Sequence, residues 1–332
     1  MTNSKSLIAR ILQTFAVVAV LILLLSQVTP DYYLVQPGTP LELSEVIEID
    51  NDSQKFGNLF LTTVNQSRTS GVSFLYGLLN PNAELHEIEE VIPPEMDVEE
   101  YREMMQQRMT DSQNIAKTVA LENLGHEIEF TGEGIKVLEL AEDSPAENIL
   151  KKDDIITKVN GEPIYLAEEL VGYIENHPIG ETVELTIERN NQEELKTVET
   201  KAHPDNPDNS YLGVFIKTVK WEPILPVDIN FETGGIGGPS AGLMFVLEIM
   251  NQLTEEDLSQ GRVIAGTGAI DLDGSVNAVG GVRHKVRAAE AQGATYFLVP
   301  ENNYEEAQQG AEDIKVVKVT NIEEVQDFLE SL

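Results

Sequence analysis

Two stretches of this 332-residue chain hold residue types that can do chemistry together. The first is Thr233-Gly-Gly-Ile-Gly-Gly-Pro-Ser-Ala-Gly242, which follows the short strand-like stretch Val227–Phe231 and leads into Leu243-Met-Phe-Val-Leu-Glu-Ile-Met250. A strand feeding a glycine-rich loop, and the loop feeding an apolar helix, places Ser240 at a helix N-terminus. There the backbone N–H groups have no intrahelical partner and the dipole favours negative charge. That setting suits an oxyanion, and a serine nucleophile there needs a base to take its proton. The second stretch is Gly280-Gly-Val-Arg-His-Lys285, at the start of a predicted helix over 282–290. Lys285 shares a helical face with Val282, Ala288 and Ala289. A lysine so placed is either a surface residue whose stem lies on apolar neighbours or a desolvated amine with a lowered pKa. Spacing leaves both open.

The elements that must position these residues alternate strand and helix from Tyr211 to the C-terminus. Val263–Ile270 reads as a strand, Asp271–Gly274 as a turn and Thr295–Pro300 as a buried strand. Upstream, residues 125–203 have a different rhythm. Gly134–Leu140 is a strand, Asp143-Ser-Pro-Ala146 turns into a short helix, and Asp154–Gly161 is a strand ending in Asn-Gly. Ala167–Asn176 is a helix, and 182–188 with 194–200 form a hairpin about Arg189-Asn-Asn-Gln192. His203–Ser210 has the composition of a linker. In residues 31–95, Leu59–Val64 and Val72–Gly77 read as short strands. Pro93-Pro94 then breaks the chain, and Asp97 opens a helix to about Leu124 whose methionines read as core filling.

Ser144-Pro-Ala146, Leu150-Lys-Lys-Asp-Asp-Ile-Ile156 and Val159-Asn-Gly161 resemble a PDZ domain of the bacterial protease-associated type. Asp153 stands where such domains usually carry glycine, and Asp tolerates the left-handed conformation that position needs. The resemblance implies strand addition of a peptide C-terminus, with the carboxylate loop ending near Gly134-Ile135. From about Tyr211 onward the chain resembles the proteolytic domain of Lon-type serine proteases. Gly238-Pro-Ser-Ala-Gly242, with Gly238 and Ala241 beside the serine, is similar to the nucleophile motif. Gly280–Lys285 is similar to the lysine motif, and Gly266-Thr-Gly-Ala-Ile270 to the strand whose threonine supports the lysine. The resemblance implies Ser240 as nucleophile, Lys285 as general base and Thr267 in support. Many ATP-dependent relatives carry an acidic residue three before the serine, where this chain has Gly237. No GxxxxGK[ST] phosphate loop occurs in the sequence, so cleavage of peptides without ATP is expected, and no cofactor.

Rival chemistries fit less well. Gly238–Gly242 also satisfies the G-x-S-x-G elbow, with Asp271 or Asp273 and then His284 in Ser–Asp–His order. Only 92 residues follow the serine, however, and His284 reads as a partly exposed helix residue. A glycine-rich phosphate cradle is a second rival, and an inert peptide-binding module a third. His86, His126, His177 and His203 show no metal-ligand spacing, and the absence of cysteine removes thiolate chemistry and disulfides.

The formal net charge of −35, from 22 basic and 57 acidic residues, repels phosphate backbones, so nucleic acid is not an expected partner. Residues 1–30 stand apart, with Lys5 and Arg10 as their only charges and none from Ile11 to Pro30. That run reads as a transmembrane anchor, ahead of a cleaved signal peptide or a buried helix. The positive-inside rule then places the body outside the cell. The expected architecture is an α+β multidomain chain: a transmembrane helix over 1–30, an α+β region over 31–123, a PDZ-like β-rich domain over 124–203 and a Lon-type α/β proteolytic domain over 211–332. The strands of 55–80 packing with the last domain would make the PDZ-like part an insertion. With these motifs the chain resembles the membrane-anchored PDZ–Lon proteases, at the cell membrane with the catalytic domain outside. The expected partners are peptide or protein substrates and the membrane, without ATP; assembly of like chains is left open.

Overall fold

The computed structural model describes residues 2–49, 58–93, 96–204 and 206–332, and leaves the side chains of 2–11 and 18 undescribed. Pro94 of the expected Pro93-Pro94 break lies outside the described residues. The chain divides into two compact units, one made of Met1–His126 with Val227–Leu332, the other of Glu127–Pro226.

The first unit is built on a five-stranded sheet in the order Leu41–Glu42, Leu59–Leu61, Ile264–Gly266, Tyr296–Pro300, Lys315–Val319. The last four strands run parallel. Parallel strands are buried on both faces, and Leu59–Leu61 and Ile264–Gly266 are buried throughout, as continuous apolar runs require. The Gly242–Leu253 helix is buried along nearly its whole length. On the Val282–Ala291 helix, Val282, Val286 and Ala289 join Phe297 and Val299 in one apolar cluster. A smaller antiparallel sheet pairs Tyr32–Pro37 with Val64–Arg68 and Glu84–Glu87. The Val98–Asn123 helix starts at Asp97, whose carboxylate accepts from Glu99 N and Glu100 N.

The second unit pairs its strands in the order Gln192–Glu199, Thr182–Arg189, Ile155–Val159, Glu129–Leu140, Val214–Ile224. Its core includes Ile135, Val137, Ile156, Leu170, Leu185 and Val198. Asn190 and Asn191 turn the hairpin with φ of 53° and 60°, the pair of left-handed residues a two-residue turn needs. Asp153 has φ 72°, and its carboxylate meets Lys136 Nζ at 2.6 Å. The short helix expected after Asp143 is a succession of turns, with Asp143 at φ 59° and Asn148 at φ 64° interrupting any helix.

Two expectations need correction. Val72–Gly77 is not a strand but part of the Gly71–Leu79 helix. Ser70 caps it by accepting from Ser73 N, while Ser73 Oγ accepts from Ser70 N, and this reciprocal cap starts a helix that an apolar run alone does not specify. The transmembrane helix is the second, and with it the single-pass membrane location and the outward-facing body. A helix does run Thr2–Ser26, yet among the described residues no helix is long and apolar enough to cross a membrane. The reason lies in the difference between uncharged and apolar. The unbroken apolar stretch is Phe15–Leu25, eleven residues bounded by Gln13, Thr14, Ser26 and Gln27. At about 1.5 Å per residue it covers about 17 Å of a hydrocarbon core about 30 Å thick.

The second unit is exacting at Gly134. Its φ is +109°, and a Cβ there would stand 2.4 Å from Ile156 O. Gly134→Ala is therefore expected to destabilise that unit by on the order of 2 kcal/mol or more, read as a lowered melting temperature. A parent-like melt would show that the strand shifts at no cost.

Candidate active site

Each group of the site comes from a different element of the first unit. Thr267 follows the carboxyl end of the parallel strand Ile264–Gly266, the end at which open α/β sheets gather their ligands. Its N–H donates to Leu298 O at 3.0 Å, which pins it to the neighbouring strand. Lys285 is the fourth residue of the Val282–Ala291 helix, whose N-cap Gly281 has φ 70°. Ser240 lies two residues before the Gly242–Leu253 helix, so the helix starts later than Pro239 suggests, and Ser240 occupies the turn that delivers the chain into it.

These residues meet. Lys285 Nζ donates to Thr267 Oγ1 at 3.0 Å, and Thr267 Oγ1 donates onward to Ser240 O at 2.9 Å. Gly268 N–H reaches the same Ser240 carbonyl at 3.0 Å. Lys285 is 3% exposed and Thr267 fully buried, while Ser240 is half-buried at the edge of this arrangement. Of the two readings of Lys285 left open by its spacing, the desolvated amine is the one found. Burial pushes its pKa from 10.5 down to about 8, against a smaller opposing pull from Glu306. An amine at that value is free base for an appreciable fraction of the time near neutrality, and only the free base accepts a proton. Among the described residues, neither Ser240 N–H nor Ala241 N–H donates to a carbonyl.

The Ser–Asp–His arrangement is not assembled. Asp271 accepts from Asn277 Nδ2 at 2.7 Å, and Asp273 accepts from Ser275 N at 2.9 Å. His284 is 1% exposed rather than partly exposed. Its Nε2 lies 3.5 Å from Glu84 Oε2, and burial holds its pKa below the ordinary imidazole value. No group of three or more potential metal ligands occurs among the described residues.

In the second unit, Gly134 and Ile135 pair with Val219 and Thr218, and Ile135 has no exposed surface. A groove of about 190 Å³ lies elsewhere, between the Ala167–Glu175 helix and the start of the edge strand Val214–Ile224, lined by Leu170, Ile174, Leu212, Val214 and Ile216 with His203 among the polar groups. Sequence reasoning missed this groove, although the edge position of its strand makes it the natural place for an added strand.

Two family models match the chain, the first of them beginning within the Val98–Asn123 helix and ending before the Val214–Ile224 strand. Residues 107–201 match the PDZ domain family, and residues 226–332 match the Lon protease (S16) C-terminal proteolytic domain. The Archaeal Lon protease of Halobacterium salinarum is 33% identical over 97 residues, 28% of this chain and 14% of its own length. Lon protease 2 of Bacillus subtilis is 32% identical over 102 residues, 30% of this chain and 18% of its own. The chain thus spans less than a fifth of the length of these relatives. Among solved structures, the PDZ domain of the SdrC-like protein from Listeria monocytogenes is 22% identical, covering 26% of this chain and 90% of that one, with a TM-score of 0.24.

Burying Lys285 costs stability at every pH at which the unfolded chain holds the amine's proton. Its folded pKa of about 8 lies below the unfolded value of 10.5, so stability rises with pH between about 8 and 10 and the full cost is felt below 8. The shift corresponds to about 3 kcal/mol at about 1.36 kcal/mol per pH unit. Lys285→Met is expected to melt higher than the parent at pH 7, and the gap to narrow by pH 10. A gap that does not change with pH would show that the amine is not held as a buried base.

Proposed function

We propose that this chain, a PDZ-containing Lon-type (S16) serine protease, is an endopeptidase with Ser240 as nucleophile, Lys285 as general base and Thr267 as the hydroxyl that orients the amine. The observation that carries this reading is the buried hydrogen-bonded chain from Lys285 Nζ through Thr267 Oγ1 to Ser240 O. With Thr267 as its acceptor, the amine has a fixed direction, and lowering its pKa makes it a base near neutral pH.

In the proposed reaction Ser240 Oγ bonds to the scissile carbonyl carbon while its proton passes to Lys285 Nζ. The carbonyl oxygen takes the negative charge, and the free N–H groups of Ser240 and Ala241 are suited to receive it. The C–N bond then breaks, and the leaving amine takes the proton from Lys285. Water attacks the acyl-enzyme, Lys285 accepts its proton, the ester bond breaks and Ser240 recovers its proton as the acid product leaves. Gly238, in the left-handed region at φ +90°, sets the bend that delivers Pro239 and Ser240.

Substrates in this reading are peptides or unstructured protein segments, recruited partly by the second unit. The groove beside the edge strand Val214–Ile224 offers the open backbone row that strand addition needs. Gly134 and Ile135 then serve the sheet behind it. The sequence has no phosphate loop, which supports cleavage without ATP.

Cleavage of a peptide library, read by mass spectrometry, tests the assignment. Ser240→Ala, Lys285→Ala and Lys285→Arg are each expected to lower kcat by about 10³-fold or more, the arginine because a guanidinium does not give up its proton. His284→Ala should melt lower yet keep most of its activity, and added ATP should change nothing. In the parent, kcat/KM should rise about tenfold per pH unit below about 8 and level off above it. Activity surviving in Lys285→Ala and lost in His284→Ala would replace the lysine with a histidine base.

A further inference from the structure

The Val98–Asn123 helix makes four separate contacts with the loop that ends in Ser240. Gly238 N–H donates to Met105 O at 2.8 Å, although Met105 O lies in the middle of a helix. Gln106 Nε2 donates to Gly235 O at 3.1 Å. Ser112, 2% exposed, donates its hydroxyl to Pro239 O at 3.1 Å. The fourth contact is steric. A Cβ on Gly237 would meet Met105 Cβ at 3.2 Å, one on Gly238 would meet Met105 Cε at 2.7 Å, and one on Gly242 would meet Ser112 Oγ at 2.9 Å. Met105 and Ser112 are seven residues apart, two helical turns on one face, about 10 Å along the axis. The loop therefore lies along this face, and Gly237, Gly238 and Gly242 are the residues that let it lie so close.

We propose that Met105 and Ser112 are positioning residues for the nucleophile loop, with this face of the Val98–Asn123 helix as its template. This rests on Ser240 being the nucleophile. The Pro239 carbonyl is held from the helix side by Ser112, and the Ser240 carbonyl from the sheet side by Thr267 and Gly268. Two successive peptide units fixed from opposite sides leave Ser240 little freedom in φ and ψ, so the direction of its Cα–Cβ bond is set before substrate arrives. A reacting group displaced by about 1 Å costs on the order of 10²-fold in rate, which is the scale on which this template acts. Ser112 Oγ lies inside a packed junction, and Met105 fills the space beneath Gly237 and Gly238. Ser112 bonds the Pro239 carbonyl, whereas Lys285 bonds Thr267.

The test uses the full chain and a fluorophosphonate probe that reacts with an activated serine, with the labelled residue identified by peptide mapping. Labelling rate and peptide kcat and KM are measured from pH 6 to 10 for the parent, Ser112→Ala, Met105→Ala and Met105→Leu, beside a thermal melt. Ser112→Ala is expected to lower labelling rate and kcat about tenfold, and Met105→Ala about 10- to 100-fold, with KM unchanged. The pH midpoint near 8 should stay where it is, since the surroundings of Lys285 are untouched. Met105→Leu should restore most of the rate by refilling the space under the glycines. Parent-like rates in Ser112→Ala and Met105→Ala overturn the proposal, and so does a moved midpoint, which would place the effect on the lysine. If Met105→Ala does not fold, Ser112→Ala, which removes one atom, decides. A label found elsewhere than Ser240 in the parent defeats the nucleophile reading instead, a result that parent-like rates in the variants cannot mimic.

Discussion

A primary amine buried at 3% exposure, with a threonine hydroxyl as its acceptor, is the constraint around which the first unit is arranged. Water solvates an ammonium far better than protein does, so the site exists only because the surrounding structure is stable enough to bear the desolvation. That explains the density of support around it. The helix bearing the amine is buried on the face that includes Val282, Val286 and Ala289, and the threonine whose hydroxyl it meets is pinned through its backbone N–H to Leu298 O. The carbonyl at the end of the chain is held twice. A looser shell would let water reach the amine, and the amine would keep its proton.

The same economy explains why the loop before Ser240 is so rich in glycine. Gly237, Gly238 and Gly242 face the Val98–Asn123 helix or its neighbours with no room for a side chain. Where many relatives of the resembled type carry an acidic side chain, three before the serine, this chain has backbone resting on Met105. The space is taken by a methionine, whose unbranched stem suits an irregular gap.

What could be read from residues alone was what local chemistry dictates. Asp153 in the left-handed region, the Asn190-Asn191 turn and the Asp97 cap each depend on a few consecutive residues and appear in the fold as expected. The stretches that carry Ser240, Thr267 and Lys285 could also be singled out, because glycine loops and an amine among small residues are local patterns. Their meeting was implied by the resemblance alone and not by spacing, since it depends on pairing across the sheet. Failures share that cause. Val72–Gly77 looked like a strand because a short apolar run has no period of its own, and the Ser70–Ser73 cap decided it. His284 looked partly exposed because its neighbour Glu84 lies 200 residues earlier in the chain. The contact between Ser112 and Pro239 spans 127 positions and leaves no local trace. The uncharged N-terminal run misled differently, by equating lack of charge with apolar length.

The first unit is assembled from both ends of the described chain. Leu59–Leu61 pairs with Ile264–Gly266, some 200 residues later, and a separate unit lies between them. Such a pairing cannot form while the later strand is still unmade, and long-range parallel contacts are slow to close even then. On a ribosome the inserted unit can complete its own core first, because its residues emerge together. The strand that precedes Thr267 and the helix that carries Lys285 follow Ser240 in the chain. The buried contact that runs from Lys285 through Thr267 to the Ser240 carbonyl therefore forms only after some 45 residues beyond Ser240 have been synthesised.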